Sequence, residues 1–284
     1  MSVVVSEQGL KWYDGQAQPV YERERDGKKQ KATVVQARKH HLYPSLTSII
    51  KILGNYLLER WMIEQHIRAC VVEPFHGDPN DPDAVEEYIR RVSALADDVR
   101  QGFADRGKEL HKAVEDWLRL GIYPDDPVAR RIVEGIHGWI KESDIDRVVS
   151  EVSIVSPRLG YGATPDILGI CEDGTIWIAD LKTTNLRTFR SPYTSWKLQL
   201  GGEIDLVEEW IAGRAMVHSE KVKFPAVRKY RFCQIVADRN DGAVRLLTEK
   251  EYKDVDRWRD AFRHLYEVWV RTNTSGGYDP RVQA

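Results

Sequence analysis

The sequence predicts an α/β protein, with a central mixed β-sheet flanked by helices. Three observations carry that expectation. Apolar residues make up 42% and charged residues 30% of 284 residues, a composition and length that support a sizeable core. Helical periodicity dominates residues 43 to 145 and then yields to strand-like runs that continue to residue 248. Two consecutive strands within residues 161 to 184 are apolar on both faces, as in strands covered from both sides.

The elements follow in order, and the whole chain, 1–284, reads as one domain. Residues 1–42 form an extension of short strands and turns: VVV at 3 to 5, turns at Asp14-Gly15 and Asp26-Gly27, then ATVV at 32 to 35. Residues 43–145 are mainly helical. Pro44 and Ser45 mark a helix start, Gly54-Asn55 breaks it, LLERWMIEQHIRACVV is a second helix, and HGDPNDPD at 76 to 83 is a loop. Residues 84 to 120 read as helix in more than one segment, ending at Gly121, and a shorter helix spans Val128 to Lys141. The sheet core occupies 146–248, with strands VVSEVSIV (148–155), the pair within 161–184, KYRFCQIVA (229–237) and AVRLLT (243–248). A helix, WKLQLGGEIDLVEEWIAG, lies among them, and residues 249–284 form a C-terminal helix and tail.

Composition narrows the function classes. A net charge of −2 means that nucleic-acid binding must come from a local patch. Cys70, Cys171 and Cys233 are far apart and form no CxxC pair, which excludes a disulfide framework, a Cys-rich zinc site and a four-cysteine iron–sulfur cluster. No signal peptide or apolar run of about 18 residues is visible, so the expected location is cytoplasmic, with no membrane partner.

The stretch YGATPDILGICEDGTIWIADLKTT carries the chemistry. A three-residue turn, Glu172-Asp173-Gly174, with Gly174 left-handed, sets Cys171 opposite Thr175 and Asp166 opposite Asp180. Side chains alternate along a strand, so Lys182 shares the face of Asp166 and Asp180, with Leu168, Ile170, Ile176 and Ile178 inside it. Two adjacent carboxylates at the rim of a core repel unless a cation stands between them. Either they cap the strand ends and pair with Lys182, or they are hard oxygen ligands for Mg²⁺ or Mn²⁺. Upstream, His111 in GKELHKAVEDWL lies at the edge of a helical stripe, and downstream Gln199 opens the helix after the second strand.

GKELH, GATPD, DLKTT and QLGGE resemble, in order, the GxxxH, GxxD, DxKT and QLxxY elements of RecB-type nucleases of the PD-(D/E)XK superfamily. With PSLTSII, the match spans roughly residues 43 to 205 and is similar to stand-alone exonucleases of phages and prophages and to the mitochondrial genome maintenance exonuclease. Glu203 departs from the pattern, standing where the family has tyrosine. The resemblance implies a PD-(D/E)XK core and one or two Mg²⁺ or Mn²⁺ ions held by His111, Asp166, Asp180 and the Leu181 carbonyl. It also implies that Lys182 and Gln199 serve the catalytic step, and that phosphodiester hydrolysis leaves 5′-phosphates. Beside that 2+ charge Lys182 is expected to have a depressed pKa. Glu151 and Glu203 are candidates for supporting the ligands or, for Glu151, a solvent-facing strand position.

DNA, single-stranded or with duplex ends, is the implied partner, in recombination or repair, with a recombinase or single-strand annealing protein as companion in a bacterial cell or phage-infected host. Candidate DNA contacts are Ser45 and Thr47 at a helix start, Thr183, and Arg187, Arg190, Tyr193 and Trp196 in NLRTFRSPYTSW, where cations and rings suit phosphates and bases. Basic stretches at 22–31, 37–41 and 221–231 could add phosphate contacts or be solvated faces. Alternatives are a structure-specific endonuclease using the same site, a catalytically silent nucleic-acid-binding accessory protein, and a structural protein whose hairpin charges merely pair.

Overall fold

The computed structural model describes residues 11–20, 22–25, 28–54, 56–218, 222–227, 229–248, 254–273 and 279–283; the strand expected at 3–5 lies outside them. The chain divides into two compact units, Met1–Ile52 with Ala113–Ala284, and Leu53–Lys112. The sequence reading takes the chain as one domain.

The larger unit begins with short elements. Strands β1 (Trp12–Tyr13), β2 (Pro19–Val20) and β5 (Tyr43–Pro44) form a small antiparallel sheet, while β3 (Glu22–Arg25) pairs with β4 (Lys28–Lys31). Residues 34 and 35, expected in a strand, instead open helix α1 (Val34–Lys39). The cause is a capping box: Gln36 N–H donates to Thr33 Oγ1 at 3.4 Å and Thr33 N–H donates to Gln36 Oε1 at 3.0 Å. Helix α2 (Leu46–Ile50) follows, its first turn capped by Ser45.

The smaller unit holds α3 (Tyr56–Val72) and the greater part of α4 (Pro82–Leu120), joined internally by edge-on contact of Trp61 with Phe103 and by Phe75 against Tyr88. Helix α4 is one uninterrupted element of 39 residues, not several segments. Its interior glycine Gly102 costs only about 1 kcal/mol of propensity, too little to break a helix this long. It stops at Gly121, where φ is +70° and the N–H donates to Trp117 O at 2.9 Å.

Back in the larger unit, α5 (Pro127–Glu142) starts from an Asp126 cap with Pro127 in its first turn. Strands β6 (Arg147–Ser150), β7 (Ser153–Ser156), β8 (Tyr161–Ala163), β9 (Ile167–Ile170) and β10 (Thr175–Thr184) come next. Helix α6 (Thr194–Ile211), β11 (Met216–His218), β12 (Lys229–Asp238), β13 (Val244–Leu247) and α7 (Val255–Asn273) complete the unit. The central sheet is mixed and five-stranded, ordered β13-β12-β10-β9-β6, with β10 and β12 parallel and the other neighbours antiparallel. The run expected as one strand over 148–155 divides between this sheet and a second one, β11-β7-β8. Glu151 causes the division: its φ of +53° turns the chain out of the extended form.

Helix α6 is the hub of the core, since it is buried along most of Leu198 to Glu209 and packs on α2, α7 and β7. Two central glycines allow that approach. A Cβ on Gly201 would stand 2.7 Å from the Trp258 backbone, and one on Gly202 would stand 2.3 Å from Leu46 Cδ1. Three acids are buried on the same helix: Glu203, Asp205 and Glu209. Asp205 accepts from Arg259 and Arg263 on α7, and Glu209 accepts from Ser156, Arg158 and Arg214.

Hydrogen bonds from Arg158 are the chief reason that the Glu209 carboxyl is held down to about 2; Arg214 assists, and burial opposes. A folded-state pKa below the unfolded value of about 4.3 gives stability that is complete above that pH and lost as the pH falls toward 2. Glu209→Gln should therefore lower stability by about 1–3 kcal/mol at neutral pH. The difference from wild type should shrink between about pH 4.5 and 2, as measured by urea denaturation at stepped pH.

Candidate functional site

The β9–β10 hairpin fixes the site. Its turn has Gly174 at φ +85°, Cys171 N–H donates to Thr175 O at 3.0 Å, and Ala179 pairs with Ile167. One more step along that register sets Asp180 opposite Asp166. Asp166 stands just before β9, half-buried, and its Oδ2 accepts the Leu181 N–H at 2.7 Å, so the carboxylate ties one strand end to the other.

Asp180 is buried and almost surrounded by donors. Lys182 Nζ lies 2.9 Å from Oδ1 and from Oδ2, and Gln199 Nε2 donates to Oδ1 at 2.7 Å. Gln234, opposite Asp180 on parallel strand β12, donates to the Asp180 carbonyl at 2.7 Å and also to its Oδ2. Gln199, on the first turns of α6, accepts from Lys182 at Oε1 (3.1 Å) and donates to Glu203 Oε1 at 2.9 Å. The structure thus brings Asp166, Asp180, Lys182, Gln199 and Glu203 to one end of the central sheet.

The charges are unbalanced. Burial pulls the Lys182 ammonium down, but Asp180 and Asp166 outweigh it and the net shift is upward. The depression expected from a neighbouring 2+ charge runs opposite to what these protein groups produce by themselves. Glu203 is 1% exposed, and among the described residues its Oε2 has no hydrogen-bond partner. Burial first, then the charge of Asp180, hold its carboxyl well above the ordinary range, against the Gln199 bond. Glu151 shows open surface, yet protein atoms crowd its carboxyl enough that desolvation, followed by Asp166 and Glu115, pushes it up to about 8. Lys11 pulls the other way.

The loop before Asp166 is clamped. Thr164 Oγ1 meets Tyr13 Oη at 2.9 Å, Ser153 Oγ at 2.9 Å and Lys11 Nζ at 3.3 Å. Gly162 is required there, because a Cβ would stand 2.8 Å from Tyr13 and 2.9 Å from the Ile154 carbonyl. Sequence reasoning missed Lys11, Tyr13 and Gln234. Gln234 had left a signal, a single amide within an otherwise apolar strand.

The remaining candidates lie on other elements. His111 lies on α4 in the smaller unit, half-buried. Ser45 is 2% exposed, and its Oγ accepts the Ser48 N–H at 3.1 Å, so it is a helix cap; Thr47 is exposed. Thr183 alternates to the face opposite Lys182. In the 185–196 loop, Arg187 and Arg190 are exposed and Tyr193 is 39% exposed. Phe189 is buried and stacked on Trp196 at 5.6 Å, so those two rings spend their facing surfaces on each other.

For a divalent cation, the donor chemistry fits, since Asp166, Asp180 and Glu151 are hard oxygen ligands. The described side chains do not form a finished chelate, however, because no three His, Cys, Asp or Glu residues converge on one point.

Gln234→Leu should remove two donors from Asp180 and destabilise the protein by about 1–3 kcal/mol, read as a lowered denaturant midpoint with an unchanged slope. In comparisons with known proteins, no family model matches the chain and no curated protein matches it significantly.

Proposed function

We propose that this chain is a metal-dependent DNA nuclease of RecB type, acting as an exonuclease that leaves 5′-phosphates. The observation that supports the reading best is the opposition of Asp166 and Asp180 across the hairpin, with Lys182 and Gln199 on the same side. Three of the four motif elements met in the sequence supply those residues.

Asp166 and Asp180, with the Leu181 carbonyl as the resemblance implies, would hold Mg²⁺ or Mn²⁺. The ion would supply Lewis-acid polarisation of the phosphodiester and of the attacking water. The chain's own groups do the rest. Lys182, steadied by Asp180 and Gln199, offers an ammonium to the charge growing on the phosphate, and a preoriented cation in a half-buried site does this better than water. Gln199 accepts from Lys182 while donating to Asp180, and so ties the two together. Exposed Arg187 and Arg190 would meet phosphates, and Tyr193 offers a ring face to one base.

End-labelled single- and double-stranded DNA should be digested with Mg²⁺ or Mn²⁺ and left intact with EDTA. Asp180→Asn and Lys182→Ala should each cut at least about 100-fold more slowly, and closed circular DNA should survive. A wild-type chain that cuts nothing with either metal, or variants that cut as fast as it does, would overturn the reading; cut circles would make it an endonuclease. Tyr193→Ala should raise KM for single-stranded DNA by about 5- to 100-fold, as expected for the loss of one stacked base, with kcat little changed.

A further inference from the structure

The most costly side chain near the site is one that the nuclease resemblance names only as a possible support for the ligands. Glu203 is 1% exposed on α6, between buried Gly202 and Ile204, with one carboxyl oxygen unpaired. The two other buried acids of that helix meet arginines. Among the described residues, the hydrogen bond that Glu203 accepts comes from a neutral amide, Gln199 Nε2 at 2.9 Å. A carboxyl buried on such terms costs stability that a leucine of similar size would return, so packing alone does not account for it.

The geometry around Gln199 supplies the account. Its amide nitrogen has two hydrogens, and two acceptors stand in reach, Asp180 Oδ1 at 2.7 Å and Glu203 Oε1 at 2.9 Å. Its oxygen faces the Lys182 ammonium at 3.1 Å. If the amide turned over, its oxygen would face two acceptors and its nitrogen would face a cation, breaking all three bonds at once. Without Glu203 one of these constraints is gone: a half-buried N–H loses its acceptor, and the side chain is free to swing toward solvent. Glu203 sits four residues after Gln199, one helical turn along, where side chains on the same face meet.

We propose that Glu203 is a positioning residue, which locks the Gln199 amide in the orientation that holds Lys182 beside Asp180. This rests on the nuclease reading for its catalytic consequence but not for the lock itself, and two measurements separate them.

The first measurement is kinetic, on the full chain with Mn²⁺. Glu203→Leu should lower kcat at least about tenfold, the scale of a 1.4 kcal/mol loss of transition-state stabilisation, with KM within threefold of wild type and a melting temperature no lower. Glu203→Gln, which keeps an acceptor oxygen, should recover at least a third of kcat. In a Gln199→Ala background Glu203→Leu should change kcat less than twofold, because the residue acts through Gln199. The second measurement needs no substrate. In ¹⁵N-labelled protein the Gln199 side-chain amide, identified by its loss in Gln199→Ala, should show two slowly exchanging protons, one of which exchanges at least tenfold faster in Glu203→Leu. Wild-type kcat in Glu203→Leu, an equal loss in the Gln199→Ala background, or unchanged amide exchange overturns the proposal. A wild type that cuts no DNA but shows the exchange effect overturns the nuclease reading and leaves the lock standing.

Discussion

The register of one hairpin governs everything near the site. Gly174 in the left-handed conformation makes a three-residue turn, and that turn decides which residue of β9 faces which residue of β10. A two-residue turn would shift the pairing by one and send Asp166 to the other face from Asp180 and Lys182. The buried faces make that shift costly, since Ile176 and Ile178 are both fully buried and would exchange places with their neighbours. The hydrogen bond from Leu181 N–H to Asp166 Oδ2 then fastens the open end. Apolar burial at one end and a single charge-assisted bond at the other hold the two carboxylates in place.

Helix α6 delivers the other half of the site and is held with equal firmness. Gly201 and Gly202 would be poor choices in an exposed helix, where each costs up to about 1 kcal/mol against alanine. Here they let α6 approach the α7 backbone and the α2 side chains more closely than a Cβ permits. The three buried acids divide by direction. Asp205 turns to α7 and Glu209 turns to the Arg158 and Arg214 side, each met by guanidinium groups. Glu203 turns to the sheet end and meets an amide. A helix anchored by arginines on two sides can present Gln199 rigidly on the third.

What the sequence made legible was local or periodic. The turn residues Glu172-Asp173-Gly174 and the two-faced apolarity of 167–170 and 175–181 were enough to oppose Asp166 and Asp180, and those strands pair as expected. Pairings distant in sequence left weaker traces. Gln234 reaches Asp180 only because β12 lies parallel beside β10, and nothing local announces which strand that will be. Lys11 and Tyr13 reach Thr164 across about 150 residues for the same reason. Local signals were also misjudged. Thr33 and Gln36 make a capping box that outweighs the β-propensity of Val34 and Val35. Glu151 gave no warning of a positive φ, which in a non-glycine residue costs of order 1 kcal/mol and is held by surroundings that the sequence does not reveal.

That strained glutamate bears on which of the sequence's alternatives is favoured. If Asp166, Asp180 and Lys182 merely capped strand ends, that role would need no further acids beside them. Instead, the chain turns through an unfavourable backbone angle at Glu151, whose carboxyl feels Asp166 and Asp180, and Glu115 adds to the same field. Glu203 is buried with an oxygen unpaired on the far side of Gln199. Against these carboxyl groups the electrostatic environment counts Lys182 and Lys11. Burial first, and neighbouring anions after it, raise the proton affinity of Glu151 and Glu203, and perturbed carboxyls near one sheet end are a pattern that functional sites share with structural ion-pair networks. On the proposed nuclease reading, a divalent cation held by Asp166 and Asp180 would offset the charge gathered at that sheet end.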